Sequence, residues 1–202
     1  MEYAANQITL HGNLIGEPEF SHENHGKQFC KFYLEVPRLS GTSDLLPVIA
    51  EASMLDTLVQ HPKSLTVTGQ IRSHNLRTDG KRHLLIFVFA AALFPDDGEP
   101  MNSCLLEGIL CREPIYRRTP LGREICDIML AVPRSFHRAD YLPCILWGRT
   151  AREISTCHCG DPITISGRMQ SRNYTKITED GPQTRTAYEV SALTASLLTE
   201  PE

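Results

Sequence analysis

The sequence predicts an all-β fold: two tandem five-stranded barrels with one short helix in each. Three observations predict it. The chain repeats itself at a nearly constant offset, apolar and polar residues alternate along short runs in both copies, and glycine-containing turns separate those runs. At 202 residues the chain has the length of two domains of about 100.

The repeat is gap-free over a long stretch. Shifted by 96 positions, Gly12 meets Gly108, Glu17-Pro18 meets Glu113-Pro114, Val36-Pro37-Arg38 meets Val132-Pro133-Arg134, and Asp44 meets Asp140. Between Asn6 and Pro47, 15 of 42 positions are identical, which implies duplication of one domain. The offset then grows to 98, where Gly69 meets Gly167, and to 101, where Asp79-Gly80 meets Asp180-Gly181. These last are turn dipeptides, so the second copy has the longer closing hairpin. The joint, Pro95-Asp96-Asp97-Gly98-Glu99-Pro100, has the composition of an exposed linker and is short enough that the two copies are expected to touch. The expected division is residues 1–95 as a first, degenerate domain, 96–101 as linker and 102–202 as the second domain.

Period-2 alternation sets the strands. In the second copy Cys126, Ile128, Leu130 and Val132 form one apolar face, Leu142, Cys144 and Leu146 another, and Ile163 and Ile165 a third. In the first copy Cys30, Phe32, Leu34 and Val36, then Leu46, Val48 and Ala50, then Leu65 and Val67 keep the same parity. Cys30 and Cys126 are therefore expected to be buried, inert thiols. Interior glycines at 12, 69, 108 and 167 mark the bends a small barrel needs in order to close. A helix is expected near Thr150–Cys157 and, in the first copy, over Ser53–Gln60 with Ser53 as its N-cap. Three strands, a helix and a closing two-stranded hairpin is the order of an OB-fold.

The second copy resembles the bacterial single-stranded DNA-binding protein family over about Asn102–Leu198. The resemblance is carried by Leu106-Glu107-Gly108, Arg112-Glu113-Pro114, Thr119-Pro120-Leu121-Gly122, Leu130-Ala131-Val132, Leu146-Trp147-Gly148-Arg149-Thr150-Ala151 and Ile165-Ser166-Gly167-Arg168-Met169-Gln170-Ser171-Arg172. The first copy shares the spacing and resembles the family only weakly. The resemblance implies stacking roles for the aromatics Phe136, Tyr141, Trp147 and Tyr174.

The residues support that expectation independently. Tyr141 and Trp147, six apart on one strand, face away from the core, and Arg168, Arg172 and Tyr174 share the outward parity of the next strand. Phe136 lies in the loop before Tyr141. Arg117, Arg118 and Arg123 are expected in the loop after the first strand, and Arg134, Arg138, Arg149 and Lys176 add charge nearby. Aromatic platforms beside a basic groove bind single strands without sequence preference. In the first copy Phe136 becomes Ser40, Tyr141 becomes Leu45, Trp147 becomes Glu51, Tyr174 becomes Leu76, Arg168 becomes Gln70 and Arg172 becomes His74. Residues 1–100 carry 8 basic and 12 acidic side chains, and residues 101–202 carry 12 of each. The first domain is thus expected to serve structure or pairing, with Phe29 and Tyr33 pointing outward from its second strand.

A net charge of −4 excludes a generic polyanion binder, so any nucleic-acid site is a local stripe. No nucleophile elbow, P-loop or HExxH motif appears, so no catalysis and no cofactor are expected. Cys157-His158-Cys159 lacks a second half at zinc-finger spacing, and no metal is expected there, nor at the loop histidines His22 and His25. No signal peptide or membrane-length apolar run is present, and a cytoplasmic location without membrane association is expected. The chain ends at Leu198-Thr199-Glu200-Pro201-Glu202, so recruitment of replication enzymes through an acidic tip is not expected. The resemblance implies a homodimer with four OB domains that binds single-stranded DNA in replication, recombination or repair. The competing readings are a primosome-type accessory protein, an interaction scaffold and a single-stranded RNA binder.

Overall fold

The computed structural model describes residues 5–56, 58, 63–78, 80–178 and 181–198. The first half runs β1 (Asn6–Asn24), β2 (Lys27–Pro37), β3 (Ser43–Glu51), α1 (Ala52–Asp56), β4 (Ser64–Thr78) and β5 (Lys81–Pro95). The second runs β6 (Met101–Leu110), β7 (Ile115–Arg118), β8 (Glu124–Arg134), β9 (Arg138–Trp147), α2 (Gly148–Ile154), β10 (Pro162–Thr178) and β11 (Gly181–Leu197). In the first half β1, β2, β3, β5 and β4 neighbour one another in that order, and β4 returns to β1. In the second half β6, β8, β9, β11 and β10 do the same. The β3–β5 and β9–β11 contacts are parallel. Each half is a closed OB barrel. No described helix is long and apolar enough to cross a membrane.

The alternation read from the sequence fills the barrels. Phe32, Leu34, Val36, Leu46, Val48, Ala50, Leu65 and Val67 are buried in the first, and Cys126, Ile128, Leu130, Val132, Leu142, Cys144, Leu146, Ile163 and Ile165 in the second. Closure depends on backbone approaching backbone. A Cβ on Gly12 or Gly108 would collide with the carbonyl of Glu35 or Ala131 across the first-to-second strand contact. Gly69 and Gly167 sit at register shifts, where a Cβ would meet the carbonyl of Phe89 or Ser191.

Several expectations are corrected. The first strand of the second half is broken into β6 and β7: Cys111–Pro114 leave the ladder, Pro114 has no N–H to give it, and β7 then pairs along β8. In the first half the equivalent Glu17-Pro18 stays inside β1, with a register shift between Ile15 and Glu19. Arg117 and Arg118 are consequently on a strand, not in a loop. The helices begin earlier than expected. α2 starts at Gly148 with Trp147 as N-cap, and α1 starts at Ala52, so Ser53 lies inside it and its Oγ donates to Glu51 Oε1 at 2.9 Å instead of capping. Gln60, Asp79 and Asp180 lie outside the described residues. Phe29, expected to face outward, is 8 % exposed, because a bulge at Phe20/His22 brings His22 over its ring at a centroid distance of 4.8 Å and Phe89 packs beside it at 5.6 Å. Cys30 is half-buried, whereas Cys126 is fully buried.

The halves join by antiparallel pairing of β1 with β6, from Asn6 opposite Leu106 to His11 opposite Met101. Ile8 pairs with Cys104, its own repeat equivalent, so this pair lies on a pseudo-two-fold axis. A reciprocal polar lock flanks it. Asp44 Oδ1 accepts from Ser171 N at 2.6 Å and from Ser171 Oγ at 2.9 Å, while Asp140 Oδ1 accepts from Ser73 N at 2.7 Å. Each aspartate also holds the arginine that precedes it: Arg38 Nε donates to Asp44 Oδ2 at 2.6 Å, and Arg134 Nη1 to Asp140 Oδ1 at 3.4 Å. Burial alone would raise the Asp44 pKa, but the bonds from Arg38 and from Ser171 outweigh it and hold the carboxyl below its usual value. The exposed joint is anchored too, since Thr66 Oγ1 donates to Asp96 Oδ2 at 2.8 Å.

Candidate functional site

The outward face of the second barrel gathers the expected residues into three groups. Trp147, the last residue of β9, shares a cleft of ≈ 430 Å³ with Arg118, Gly122, Arg123, Glu124 and Gly148. Its indole Nε1 donates to Ser191 Oγ of β11 at 3.2 Å, which fixes the ring's orientation while 39 % of the residue stays exposed. The indole is thus held at its edge by a side chain of the neighbouring strand, with part of the residue open to solvent.

Tyr174 and Lys176 of β10 line a second, wider cleft with Arg185 and Thr186 of β11 and with His83, Leu84 and Leu85 of β5. This cleft spans both halves. Arg185 was not singled out from the sequence. The signal for it was present, because the hairpin closing at Gly181 pairs Tyr174 with Arg185.

The third group lies at the β8–β9 turn. Phe136 is 91 % exposed at the turn tip with φ of 62°, and Tyr141 is 44 % exposed. Arg134 and Arg138 end and begin the two strands, opposite one another. Tyr141 N donates to Ser73 Oγ of the first half at 2.8 Å, so the interface between halves holds this strand in place. Between Tyr141 and Trp147 the outward row is covered, with Ile145 at 7 % exposure. The platforms therefore lie at the two ends of the strand.

The outward row of β10 is also less open than its parity suggested. Gln170 is buried and donates to Glu189 Oε1 at 2.9 Å. Arg168 is drawn toward the first half, with Nη1 3.8 Å from Asp44 Oδ2. It belongs to the lock between halves more than to the open face.

The remaining cations divide by partner. Arg117 donates to Asp127 at 2.7 Å, Arg118 reaches Glu124 at 3.4 Å, Arg149 pairs with Glu153 at 2.7 Å, and Arg172 lies 3.7 Å from Glu189. These arginines are mostly exposed, and solvent screens such pairs, so an anionic ligand can recruit them at small cost. Arg123, Arg138, Lys176 and Arg185 have no carboxylate partner among the described residues. Glu124 counters part of this charge. It accepts from the Tyr116 hydroxyl at 2.7 Å and pairs with Arg118 and Arg152, and these contacts, the tyrosine bond foremost, hold it below the usual carboxylate range.

The equivalent place in the first barrel holds an ion pair. Arg123 corresponds to Lys27 and Trp147 to Glu51, and there Lys27 Nζ donates to Glu51 Oε2 at 2.8 Å. The position of Ser191, on which the indole rests, is taken by Phe89, whose ring lies 5.7 Å from the Arg72 guanidinium. Cation and platform have become an ion pair. Tyr33, the second residue expected to face outward, is half-buried with Lys31 Nζ 4.9 Å from its ring.

The residues of the Cys157-His158-Cys159 run leave in different directions: Cys157 is buried, while His158 and Cys159 are exposed. Among the described residues no three His, Cys, Asp or Glu side chains are placed to share a metal ion.

Comparison with known proteins agrees with this geometry. The profile of the Single-strand binding protein family matches residues 101–198, the second barrel. Single-stranded DNA-binding protein B of Bacillus subtilis (strain 168) is 38 % identical over 80 residues, which cover 36 % of this chain and 71 % of that protein. Single-stranded DNA-binding protein 2 of Listeria monocytogenes is 33 % identical over 81 residues, covering 37 % of this chain and 51 % of that one. The crystal structure of the wild-type single-stranded DNA binding protein from Thermus aquaticus superposes with a TM-score of 0.78 over 98 % of this chain and 94 % of that chain, at 23 % identity. That likeness shows the fold, with both barrels in place. The barrel that matches the family profile is also the one with the open aromatic and basic face, and the chain belongs to the single-strand binding protein family.

Proposed function

We propose that this protein binds single-stranded DNA without sequence preference and without catalysis, chiefly through the second barrel, residues 102–202. The observation that carries the reading is the Trp147 cleft: an indole fixed by Ser191, with Arg118 and Arg123 on its rim. Bases stack on exposed aromatic faces for ~1–3 kcal/mol each, and any base has such a face, so the mode is indifferent to sequence. Phe136 and Tyr141 at one end of β9, Trp147 at the other and Tyr174 on β10 offer platforms, with Arg134, Arg138, Arg149, Arg172 and Lys176 along the backbone path. Arg117 lies on the β7 arm, and Arg168 acts from beneath through the lock with Asp44. The first barrel, residues 1–95, serves chiefly as the structural partner, because Lys27–Glu51 occupies the equivalent place. The joint, 96–101, holds the two in register. In the cell this activity protects and organises single strands during replication, recombination or repair. Two chains pair to place four barrels in one particle.

The test is a titration with oligo-dT. Trp147 is the sole tryptophan, so its emission reports base stacking directly. Strong quenching is expected, with affinity falling steeply as salt rises because phosphate contacts release counterions. Trp147→Ala is expected to weaken binding by ~1–3 kcal/mol, the range for one stacked base. Unchanged affinity in that variant would remove Trp147 from the interface, and no quenching by DNA would refute the reading altogether.

A further inference from the structure

The two exposed cysteines of the second barrel lie on adjacent segments that the function above does not use. Of the seven thiols, Cys104, Cys126, Cys144 and Cys157 are buried, Cys30 is half-buried, and Cys111 and Cys159 are exposed. Cys111 follows the last residue of β6, and Cys159 lies in the turn before β10. The two segments are hydrogen-bonded there: Leu110 N donates to Asp161 O at 3.0 Å, and Gly160 N donates to Leu110 O at 2.8 Å. Gly160 and Asp161 thus oppose the single residue Leu110, as in a bulge, and the next positions outward are Cys111 and Cys159.

Facing residues of paired antiparallel chains stand ~4.5–5.5 Å apart between Cα atoms, and the two cysteines flank the last such pairing, at Leu110. A disulfide spans Cα separations of ~4.4–6.8 Å. Leu110 points into the core with no exposure, so Cys111, its neighbour, points out, where its thiol donates to Met129 O at 3.2 Å, and Cys159 is exposed on the facing segment.

A second observation fixes the two segments together. The Glu113 carboxylate reaches across, with Oε1 accepting from Cys159 N at 3.0 Å and Oε2 lying 3.3 Å from His158 Nδ1. The Cys159 bond is the main reason Glu113 sits below the usual carboxylate range. Partial burial moves the Cys111 thiol up, with Arg112 opposing and the charge of Cys159 adding last. The buried thiols are held protonated by desolvation, Cys104 up to about 12 and Cys126 up to about 11. Cys111 and Cys159 are the two thiols an exchange partner can reach from solvent.

We propose that Cys111 and Cys159 form a reversible intrachain disulfide that pins the base of the β7 arm. The reaction is exchange with a disulfide of the glutathione class. One protein thiolate attacks the oxidised partner and releases one reduced thiol. The second protein thiolate then displaces the other, so the protein loses two hydrogens and two electrons and the partner gains them. Residues 112–114 connect this bond to β7, which ends in Arg118, and the β7–β8 turn carries Arg123; both line the Trp147 cleft. A bond at Cys111 would stiffen the arm that holds those cations.

The experiment treats the full-length protein with oxidised glutathione and maps its peptides without reduction. A peptide linking Cys111 to Cys159 is expected, with a mass lower by two hydrogens and reversal by dithiothreitol. Cys111→Ser and Cys159→Ser should each abolish it. Amide exchange across Ile115–Arg118 should slow several-fold on oxidation in the wild type and remain unchanged in Cys159→Ser. A link to Cys30, a link between chains, or no link at all would overturn the proposed bond. A correct link with unaltered exchange in β7 would overturn its role on the arm. Neither result bears on DNA binding, which the oligo-dT titration of the reduced protein decides separately.

Discussion

Replacing Asp44 with alanine tests whether the two barrels are one cooperative unit. The Asp44 side chain is 1 % exposed and receives both nitrogens of the Arg38 fork from its own half and both the N–H and hydroxyl of Ser171 from the other. Truncation strands the half-buried Ser171 N–H, for which the ~1–3 kcal/mol of a fully buried unsatisfied donor is an upper range. Breaking a buried ion pair by removing one partner costs ~3–5 kcal/mol. Arg38 keeps its bond to Ser171 O at 2.8 Å and is 23 % exposed, so solvent recovers part of the loss and the lower end applies, about 3 kcal/mol. With a urea dependence of ~3 kcal/mol per molar, at the upper end for a chain of this size, the midpoint should fall by about 1 M. The assay is equilibrium urea unfolding followed by far-ultraviolet dichroism, which reports both barrels, and by Trp147 emission, which reports only the second. Both signals are expected to move together, because half of the lost bonds belong to the second barrel. A Trp147 midpoint that stays in place while the dichroism shifts would show that the barrels unfold independently. The lock would then be decorative.

Two further outcomes follow from the same residues. Asp44 has a folded-state pKa below its usual value, so its contribution is present above an unfolded value of ~3.9 and is lost as pH falls through the lower folded value. Wild-type stability should therefore drop with acid below about pH 4, and Asp44→Ala should show a shallower drop, read from thermal unfolding between pH 2 and 6; parallel curves would contradict this. If two chains assemble four barrels, light scattering should give about twice the 22.7 kDa of one chain, and a clean single-chain mass would refute the pairing.

Much of this was legible in the chain. The gap-free repeat and the alternation of Cys126–Val132 and Phe32–Val36 specified the barrel interiors, because parity alone decides which side of a strand is buried. Trp147 and Tyr141 followed from that parity. What stayed hidden depended on pairing between segments distant in sequence. Phe29 has outward parity, but a bulge in β1 and the ring of Phe89 cover it. Arg117 reads as a loop cation until β7 is seen to pair with β8 and to place it against Asp127. Arg168 shares parity with Tyr174, but a carboxylate from the other half claims it. Asp44 and Asp140 stood out as matching positions in the repeat, yet only the arrangement of two barrels about a pseudo-two-fold axis explains why both were kept.

The pseudo-two-fold axis separates residues that both copies keep from residues that differ between them. Gly12 and Gly108, Asn6 and Asn102, Arg38 and Arg134, and Asp44 and Asp140 are identical between copies, and all of them act at strand crossings or at the interface between halves. A pseudo-symmetric interface constrains both copies at once, since each aspartate depends on a serine from the other half. The outward face has no such reciprocity. A platform in one barrel does not require a platform in the other, so Trp147 with Arg123 and Glu51 with Lys27 can coexist on a common scaffold. The Lys27–Glu51 pair shows how little the difference requires: the cation is kept, and one change of charge, tryptophan to glutamate, gives it a carboxylate partner in place of an aromatic ring. Duplication supplied a second barrel, the lock preserved its architecture, and the face was free to change because nothing in the interface depends on it.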